Sequence, residues 1–286
     1  MDIPKLRIVL LTHGGAEKVL AKLCSLDCAA MVGVIIESKK PPTRSLFEKI
    51  QRSIRYDGYP GTIIKLYRSA FAGKSAKSFE RQDRSEHPGA LRELSEFKGV
   101  PVYEVSDYHD ADSISLLRSL NPDLAVVFGT NILKESVFKI PRLGSINFHS
   151  GVVPLYRGGP PVFWELFNNE KEVGLTVHWV ASKVDAGEVI RQESVPLAYD
   201  YSYGSDFESF IEDYRMNLAD RCAEMLAESV RSIANGVDSR QAQDLSIGKR
   251  YRLPTKREKE ELRRRLKQRR HADQVGKKRL NETSYS

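Results

Sequence analysis

Three side chains in this chain of 286 residues have the types and spacing of a proton-transfer site: Asn147, His149 and Asp185. An imidazole has an ordinary pKa of about 6.5, so at neutral pH it can take a proton from an attacking amine. A nearby carboxylate can fix the tautomer of the ring and stabilise its protonated form. An asparagine amide can donate a hydrogen bond to the oxyanion that forms when a carbonyl carbon becomes tetrahedral. The trio therefore predicts acyl or formyl transfer to a nucleophile.

The sequence around the trio predicts the elements that hold it. Residues 145–149 are expected to form a short strand, whose period of two places Asn147 and His149 on one face. They lie near its carboxyl end, where open α/β sheets bind ligands. The loop that follows is too rich in glycine and proline for a helix or a strand. Taken singly, each residue has a structural explanation: His149 as a strand-end histidine, Asn147 as a turn residue and Asp185 as a turn former.

From about residue 100 to residue 195 the chain resembles the folate-dependent formyltransferases, which move a formyl group from 10-formyltetrahydrofolate to a primary amine. The resemblance rests on four motifs in matching order and spacing. They are Asn147-x-His149, Pro154-x-Tyr156-Arg157-Gly158, Gly174-x-Thr176-x-His178, and Asp185-Ala186-Gly187 followed by Val189-Ile190. The resemblance implies that Asn147, His149 and Asp185 are catalytic. His178 lies inside an expected strand, so we assign it a structural role.

One loop departs from the family pattern. A Ser-Leu-Leu-Pro run is usual shortly after the histidine, whereas this chain has Gly151-Val152-Val153-Pro154. We expect Gly151 to loosen the loop that cups the formyl group, which affects rate and substrate fit but not the reaction.

The resemblance also implies where the two substrates bind. The donor, 10-formyltetrahydrofolate, is expected to contact the loop after a buried strand at residues 124–128. The predicted donor-binding residues are Phe128, Gly129, Thr130, Asn131, Ile132 and Val184. For the acceptor, backbone N–H groups of a glycine pair before the first helix can contact a phosphate, although a tight turn explains that pair equally well. The predicted acceptor-binding residues are His13, Gly14, Gly15, Tyr156, Arg157 and Gly158.

The apolar pattern predicts an α/β fold with a doubly wound, Rossmann-like and mostly parallel sheet. Residues 1–248 are expected to form one catalytic domain. Continuous apolar runs predict buried strands near residues 6–11, 31–36 and 124–128. A strand at 173–179 should form a hairpin with one at 188–195, and residues 206–233 should form one long amphipathic helix over the sheet.

The net charge of +7 is unevenly distributed. Residues 38–93 read as a basic helical insertion, which we interpret as a solvated lid or an oligomer contact; nucleic acid or anionic lipid is the alternative partner. Residues 249–286 read as a basic C-terminal tail, expected to be an exposed helix or disordered. Its Tyr251-x-x-Pro254-Thr255 piece resembles the end of several sugar formyltransferases, where it packs back on the domain. The remaining chain is acidic.

The composition of the chain argues against several classes of protein, namely membrane-spanning, secreted, disulfide-rich and zinc-binding proteins. No apolar run of eighteen or more residues is present, and the first residues do not resemble a signal peptide, so we expect a cytoplasmic protein with no membrane span. Cys24, Cys28 and Cys222 form no CxxC pair, so the sequence predicts neither a disulfide framework nor a structural zinc. No cluster has metal-ligand spacing, and we expect catalysis without a metal. A homodimer is compatible with the sequence.

Comparison with other enzymes of the family narrows the choice of acceptor. The enzyme that formylates glycinamide ribonucleotide lacks the Tyr-Arg-Gly-x-x-Pro loop. Methionyl-tRNA formyltransferases carry a β-barrel after the catalytic domain, and no run of alternating strands follows residue 195 here. We therefore expect a nucleotide-linked amino sugar as the acceptor. The alternatives are tRNA formylation through the basic segments, another small amine, or a non-catalytic binding module; the intact trio argues against the last.

Overall fold

The computed structural model describes residues 4–38, 88–237 and 239–283. The strands are β1 (Leu6–Thr12), β2 (Ala29–Glu37), β3 (Val102–Val105), β4 (Leu124–Phe128), β5 (Gly144–His149), β6 (Tyr156–Gly158), β7 (Glu172–Trp179), β8 (Val189–Pro196) and β9 (Lys249–Tyr251). The helices are α1 (Glu17–Cys24), α2 (Pro88–Phe97), α3 (Ala111–Ser119), α4 (Glu135–Phe138), α5 (Phe163–Asn168), α6 (Phe207–Asn217), α7 (Ala219–Ala234) and α8 (Lys256–Thr283).

Seven strands form one sheet in the order β3-β2-β1-β4-β5-β7-β8. The first five of these are mutually parallel, whereas β7 runs antiparallel to both β5 and β8. The predicted doubly wound and mostly parallel sheet is therefore confirmed, as is the β7–β8 hairpin. Two short strands, β6 and β9, pair in parallel as a separate ribbon.

The alternation of side chains along β1 divides the core between the two faces of the sheet. Ile8 and Leu10 belong to one buried cluster, with residues of α1, α2 and α7. Val9 and Leu11 belong to the other, with residues of α3 and α4. Because central parallel strands are buried on both faces, β1 and β4 are apolar at nearly every position. Full burial of each such side chain stabilises the fold by about 1.5–3 kcal/mol.

The long helix expected at residues 206–233 is two helices that meet at Leu218. The reason is that the two halves pack against different cores. Met225 and Leu226 of α7 are fully buried in the cluster with α1. Phe207 and Phe210 of α6 are buried in a third cluster, which lies around α5 and α8. One straight helix could not bury its apolar residues in both clusters.

The C-terminal segment forms a helix, which is one of the two expectations from the sequence, but this helix is not wholly exposed. Leu262 and Leu266 of α8 are 0% and 1% exposed in the third cluster. Arg269 donates hydrogen bonds to the backbone carbonyls of Leu166 and Phe167 at the end of α5. Cations suit the carboxyl end of a helix, where unpaired carbonyls carry partial negative charge. Residues 249–270 are therefore part of the folded body.

The basic insertion expected at residues 38–93 lies largely outside the described residues, since the structure describes none of residues 39–87. Its predicted boundary at residue 93 is too late. α2 begins at Pro88, and Leu91 is fully buried in the core beside α1. Within the described ranges, no helix combines the length and the apolar character needed to cross a bilayer.

Candidate active site

Strands β5 and β7 bring the predicted site together at one edge of the sheet. Their antiparallel register places Asn147 opposite His178 and His149 opposite Thr176. Residues that face each other across a strand pair have neighbouring side chains. Asp185 reaches the same place from the turn between β7 and β8, so the structure brings all three residues of the predicted trio together.

The contacts of His149 fix which ring nitrogen is free. Its Nε2 lies 2.7 Å from the backbone oxygen of Tyr156, so this nitrogen carries a proton and donates it to the carbonyl. In the neutral ring, Nδ1 then keeps its lone pair. Nδ1 lies 3.5 Å from Oδ2 of Asp185. Burial lowers the pKa of His149, although Asp185 and the Tyr156 carbonyl act in the opposite direction. The ring is therefore a neutral base whose working atom is Nδ1.

Asp185 is held ionised beside this base. Burial alone would raise the pKa of its carboxyl group, but the hydrogen bond from His178, the two imidazoles and the backbone N–H of Gly158 together lower it well below its usual range. The Gly158 N–H donates to Oδ2 at 2.8 Å. A proton arriving at Nδ1 of His149 would thus meet a fixed negative charge, which stabilises the imidazolium.

His178, to which the sequence analysis gave a structural role inside its strand, lies in the site. Its Nδ1 donates to the backbone oxygen of Trp179 at 2.8 Å. Its Nε2 lies 3.3 Å from the amide nitrogen of Asn147 and 3.4 Å from Oδ1 of Asp185. His178 therefore contacts both the amide of Asn147 and the carboxylate of Asp185. The signal that could have revealed it is its strand alternation with Thr176, combined with the antiparallel register.

The loop between His149 and Tyr156 is tied down on the neighbouring strands. Thr176 donates through Oγ1 to the backbone oxygen of Gly151 at 2.7 Å, and Gln192 donates to that of Val153 at 3.0 Å. A Cβ at position 151 would lie 2.6 Å from Nε2 of His149 and 2.6 Å from the oxygen of Tyr156. The expectation that Gly151 loosens the loop is therefore wrong, since the missing side chain lets the loop touch the imidazole.

The predicted donor-binding loop flanks the trio. Phe128 packs on Phe148, and their ring centroids are 6.2 Å apart. In the sequence, Phe148 separates Asn147 from His149. Ile132 is 63% exposed, which leaves an apolar side chain free for a ligand. Val184 is half-buried beside Asp185. The other three residues, Gly129, Thr130 and Asn131, continue the same loop after β4.

The predicted acceptor residues fall into two groups. His13 adjoins the donor loop rather than the trio: its Nε2 lies 2.7 Å from the buried carboxylate of Glu37 and 3.4 Å from the amide of Asn131. The N–H of Gly14 already donates to Oγ1 of Thr12, and Gly15 leads into α1, which has no side-chain N-cap.

The second group, Tyr156, Arg157 and Gly158, forms β6 beside the trio. Tyr156 and Gly158 contact it through their backbones. Arg157 is 9% exposed, and its Nε is buried without a hydrogen-bond partner in the described structure.

Another cluster of polar groups resembles a metal site in composition. Atoms of Glu37, Asp107 and His109 lie within 4.8 Å of one another. All three side chains are engaged within the protein, since Glu37 contacts His13, and His109 contacts Asp107 through Nδ1 and the N–H of Lys134 through Nε2. We assign no metal to this cluster.

A small pocket opens beside His149, on the side of β6. Its empty space is about 160 Å³ including the part open to solvent, which is too little for a folate and a sugar together. Tyr251 of β9 stacks on Tyr156 with centroids 5.1 Å apart, and Trp164 packs against Tyr251 at the same distance. None of the predicted donor residues lines this pocket. Its lining residues are His149, Ser150, Tyr156, Gly158, Pro160, Pro161, Trp164, Glu165 and Tyr251.

Comparison with known sequences identifies the family to which this chain belongs. The sequence profile of the formyl transferase family matches residues 29–212. The chain is 34% identical over 156 residues to a methionyl-tRNA formyltransferase of Clostridioides difficile, covering 54% of this chain and 48% of the relative. It is 40% identical over 102 residues to that of Chlorobium limicola, covering 36% and 32%. The chain thus spans about half, or less, of the length of these curated relatives.

Solved structures show the same fold. Glycinamide ribonucleotide transformylase 1 from Symbiobacterium toebii superposes with a TM-score of 0.53 at 17% identity, covering 84% of this chain and 95% of that one. A 4-N formyltransferase from Francisella tularensis gives a TM-score of 0.51 at 14% identity, covering 86% and 76%. At these identities the likeness concerns the architecture alone.

Proposed function

The chain belongs to the formyl transferase family, and on that premise we propose that it transfers a formyl group from 10-formyltetrahydrofolate to a primary amine. The observation that carries the proposal is the cluster of Asn147, His149, His178 and Asp185 at the edge of the sheet. Nδ1 of His149 lies 3.5 Å from the Asp185 carboxylate, and Nε2 of His178 lies 3.4 Å from the same carboxylate and 3.3 Å from the amide of Asn147. This is the set of groups that formyl transfer to an amine requires.

In the mechanism that we propose, the acceptor amine attacks the formyl carbon of the donor. Nδ1 of His149 takes a proton from the nitrogen as the C–N bond forms, and Asp185 stabilises the imidazolium. Asn147, oriented by His178, donates its amide hydrogen to the oxyanion. The imidazolium then returns its proton to N10 of the departing tetrahydrofolate. The predicted donor residues, from Phe128 to Ile132 and Val184, would hold the pterin.

We further propose that the acceptor is a nucleotide-linked amino sugar. Support comes from the aromatic walls of the pocket beside His149 and from the guanidinium of Arg157, whose buried Nε has no hydrogen-bond partner among the described residues and suits a phosphate. The loop from His13 to Gly15, before the uncapped start of α1, would take part in carrier binding.

A second acceptor, initiator methionyl-tRNA, is favoured by one finding: the curated relatives above act on methionyl-tRNA by name. Three cations of α8 that could contact RNA are already paired within the protein, which weakens that alternative. Arg263 pairs with Glu208, and Arg264 and Arg265 both pair with Glu261. Cations already neutralised within the protein release few counterions on binding RNA.

The test is transfer of isotope-labelled formyl groups to a panel of nucleotide-linked 3-amino and 4-amino sugars, run beside charged initiator tRNA. We expect transfer to a sugar, and we expect His149→Ala to abolish it while the circular dichroism spectrum stays unchanged. Transfer to tRNA alone would reject the sugar assignment. Near-normal turnover in the His149 variant would reject the mechanism.

A further inference from the structure

The turn that carries Asp185 is held from outside by a segment that the mechanism above does not use. This segment, residues 239–251, follows α7 and ends with β9. Within it, the side-chain amide of Gln243 donates hydrogen bonds to two backbone oxygens of the turn, that of Gly187 at 2.6 Å and that of Asp185 at 3.2 Å. The turn is therefore held at the residue that supplies the carboxylate and at the glycine two positions later.

The backbone of this turn has two features that need such support. Asp185 has φ of +48°, a conformation that few residues other than glycine adopt. Gly187 approaches β7 so closely that a Cβ there would overlap the backbone oxygen of Trp179. Because one methylene group joins the carboxyl group of an aspartate to its backbone, the carboxylate follows any movement of the turn. Such a movement would change the distance of 3.5 Å between Oδ2 of Asp185 and Nδ1 of His149.

The other end of the Gln243 amide has no partner. Its Oε1 is buried and accepts no hydrogen bond from the described residues. An unpaired polar atom in the interior destabilises a fold. The N–H groups point at the turn, where an oxygen in their place would face two carbonyl oxygens. The amide thus destabilises the fold at one end and holds the Asp185 turn at the other, so stability alone does not explain its presence.

The same segment also supports the opposite side of the carboxylate. Its last residues form β9, which pairs with β6. From β6, the N–H of Gly158 donates to Oδ2 of Asp185, and the backbone oxygen of Tyr156 accepts from Nε2 of His149. The segment therefore holds the carboxylate through Gln243 and both the carboxylate and the imidazole through β6.

We propose that Gln243 is a positioning residue of the active site, which keeps the Asp185 carboxylate beside the imidazole of His149. This inference rests on the proposed function. Gln243 takes no part in proton transfer and acts through the backbone of the turn. When Nδ1 of His149 takes a proton from the acceptor amine, the carboxylate stabilises the imidazolium only if it lies close to the ring. Without the two hydrogen bonds from Gln243, the turn relaxes and this stabilisation weakens.

The first test is kinetic and uses Gln243→Met, which keeps the length of the side chain but has no N–H donor. Since a displacement of about 1 Å at a reacting group can lower turnover by about 100-fold, we expect kcat to fall by about 10- to 100-fold with KM for the acceptor unchanged. Gln243→Glu, whose ionised carboxylate cannot donate a hydrogen bond, should show the same loss at pH 8. Gln241→Ala, in the same segment but with an exposed side chain, is the matched control and should behave as wild type.

Three kinetic results would overturn the proposal. They are a normal kcat in Gln243→Met, a rise in KM with an unchanged kcat, and an equal loss of kcat in the Gln241→Ala control.

The second test needs no turnover and measures amide hydrogen exchange by nuclear magnetic resonance. The N–H of Gly158 donates to the Asp185 carboxylate, so its exchange rate reports whether the carboxylate stays in place. In Gln243→Met we expect this amide to exchange about 5- to 10-fold faster than in wild type, as for the weakening of one hydrogen bond. The amide of Tyr156, in the same strand, donates to the backbone oxygen of Val152 instead, and its exchange should not change.

The two amides separate positioning from general stabilisation. Equal acceleration of both would mean that Gln243 only stabilises β6, and no acceleration at Gly158 would mean that it does not hold the carboxylate; either result would overturn the proposal. Faster exchange at Gly158 alone, in a protein that formylates no amine, would instead reject the proposed function and leave the positioning of Asp185 by Gln243 supported.

Discussion

Replacing Gly151 with alanine would place a methyl group where the active loop touches His149. The added Cβ would lie 2.6 Å from Nε2 of the imidazole and 2.6 Å from the Tyr156 oxygen. The van der Waals contact distance of a carbon atom is about 3.5 Å, so the ring or the loop must move by roughly 0.9 Å. Overpacking of this kind destabilises a fold by about 1–3 kcal/mol, and the lost His149–Tyr156 hydrogen bond adds about 1 kcal/mol. Without that bond the proton can shift to Nδ1, which removes the base.

Since a displacement of about 1 Å at a reacting group can lower turnover by about 100-fold, we expect kcat of the Gly151→Ala variant to fall by about 10- to 100-fold. The assay is formyl transfer under donor and acceptor saturation, with a urea melt on the same preparation. Gly89→Ala is the matched control, because nothing lies within 4 Å of a Cβ there. A Gly151 variant with wild-type kcat and an unchanged urea midpoint would refute the idea that the close approach positions the imidazole.

Three further predictions concern charge, packing and reactivity. Because folding holds the pKa of Asp185 below its ordinary value, its ionised form stabilises the protein above about pH 4 and that contribution is lost as the pH falls. Asp185→Asn should lower kcat by about 10²- to 10⁴-fold, and its stability deficit in urea melts should be constant above about pH 4 and shrink as the pH falls below that value; a deficit that stays constant below about pH 4 would contradict this. Leu262→Ala, in the third cluster, should cost about 2–5 kcal/mol in denaturant titration, whereas Lys267→Ala on the exposed face of α8 should cost little; equal effects would mean that α8 does not pack as described. Burial raises the pKa of the Cys222 thiol to about 12, so iodoacetamide at pH 8 should label it only after unfolding; mass spectrometry that finds it labelled in the folded protein would contradict this.

The strands of the sheet were predictable because buried parallel strands are apolar at nearly every position, as in β1 and β4. The trio was predictable because its motifs keep their spacing. Contacts between segments that are distant in the sequence were not predictable. Leu262 and Leu266 are two apolar residues in a run of charges, and only the presence of α5 and α6 opposite them explains their burial. The placement of His178 depends on an antiparallel register that no local pattern specifies.

The donor loop, β5 and β7 precede β9 in the sequence by many residues, yet β9 supplies Tyr251 to the wall of the pocket. During synthesis, the sheet and the four-residue cluster can therefore form while β6 still lacks its partner strand. A chain growing on the ribosome would possess its proton-transfer groups before it possessed a complete acceptor pocket. The same order applies to proteolytic trimming from the carboxyl end: a cut between Gln243 and Lys249 would spare the four residues of the cluster and remove Tyr251 from the wall.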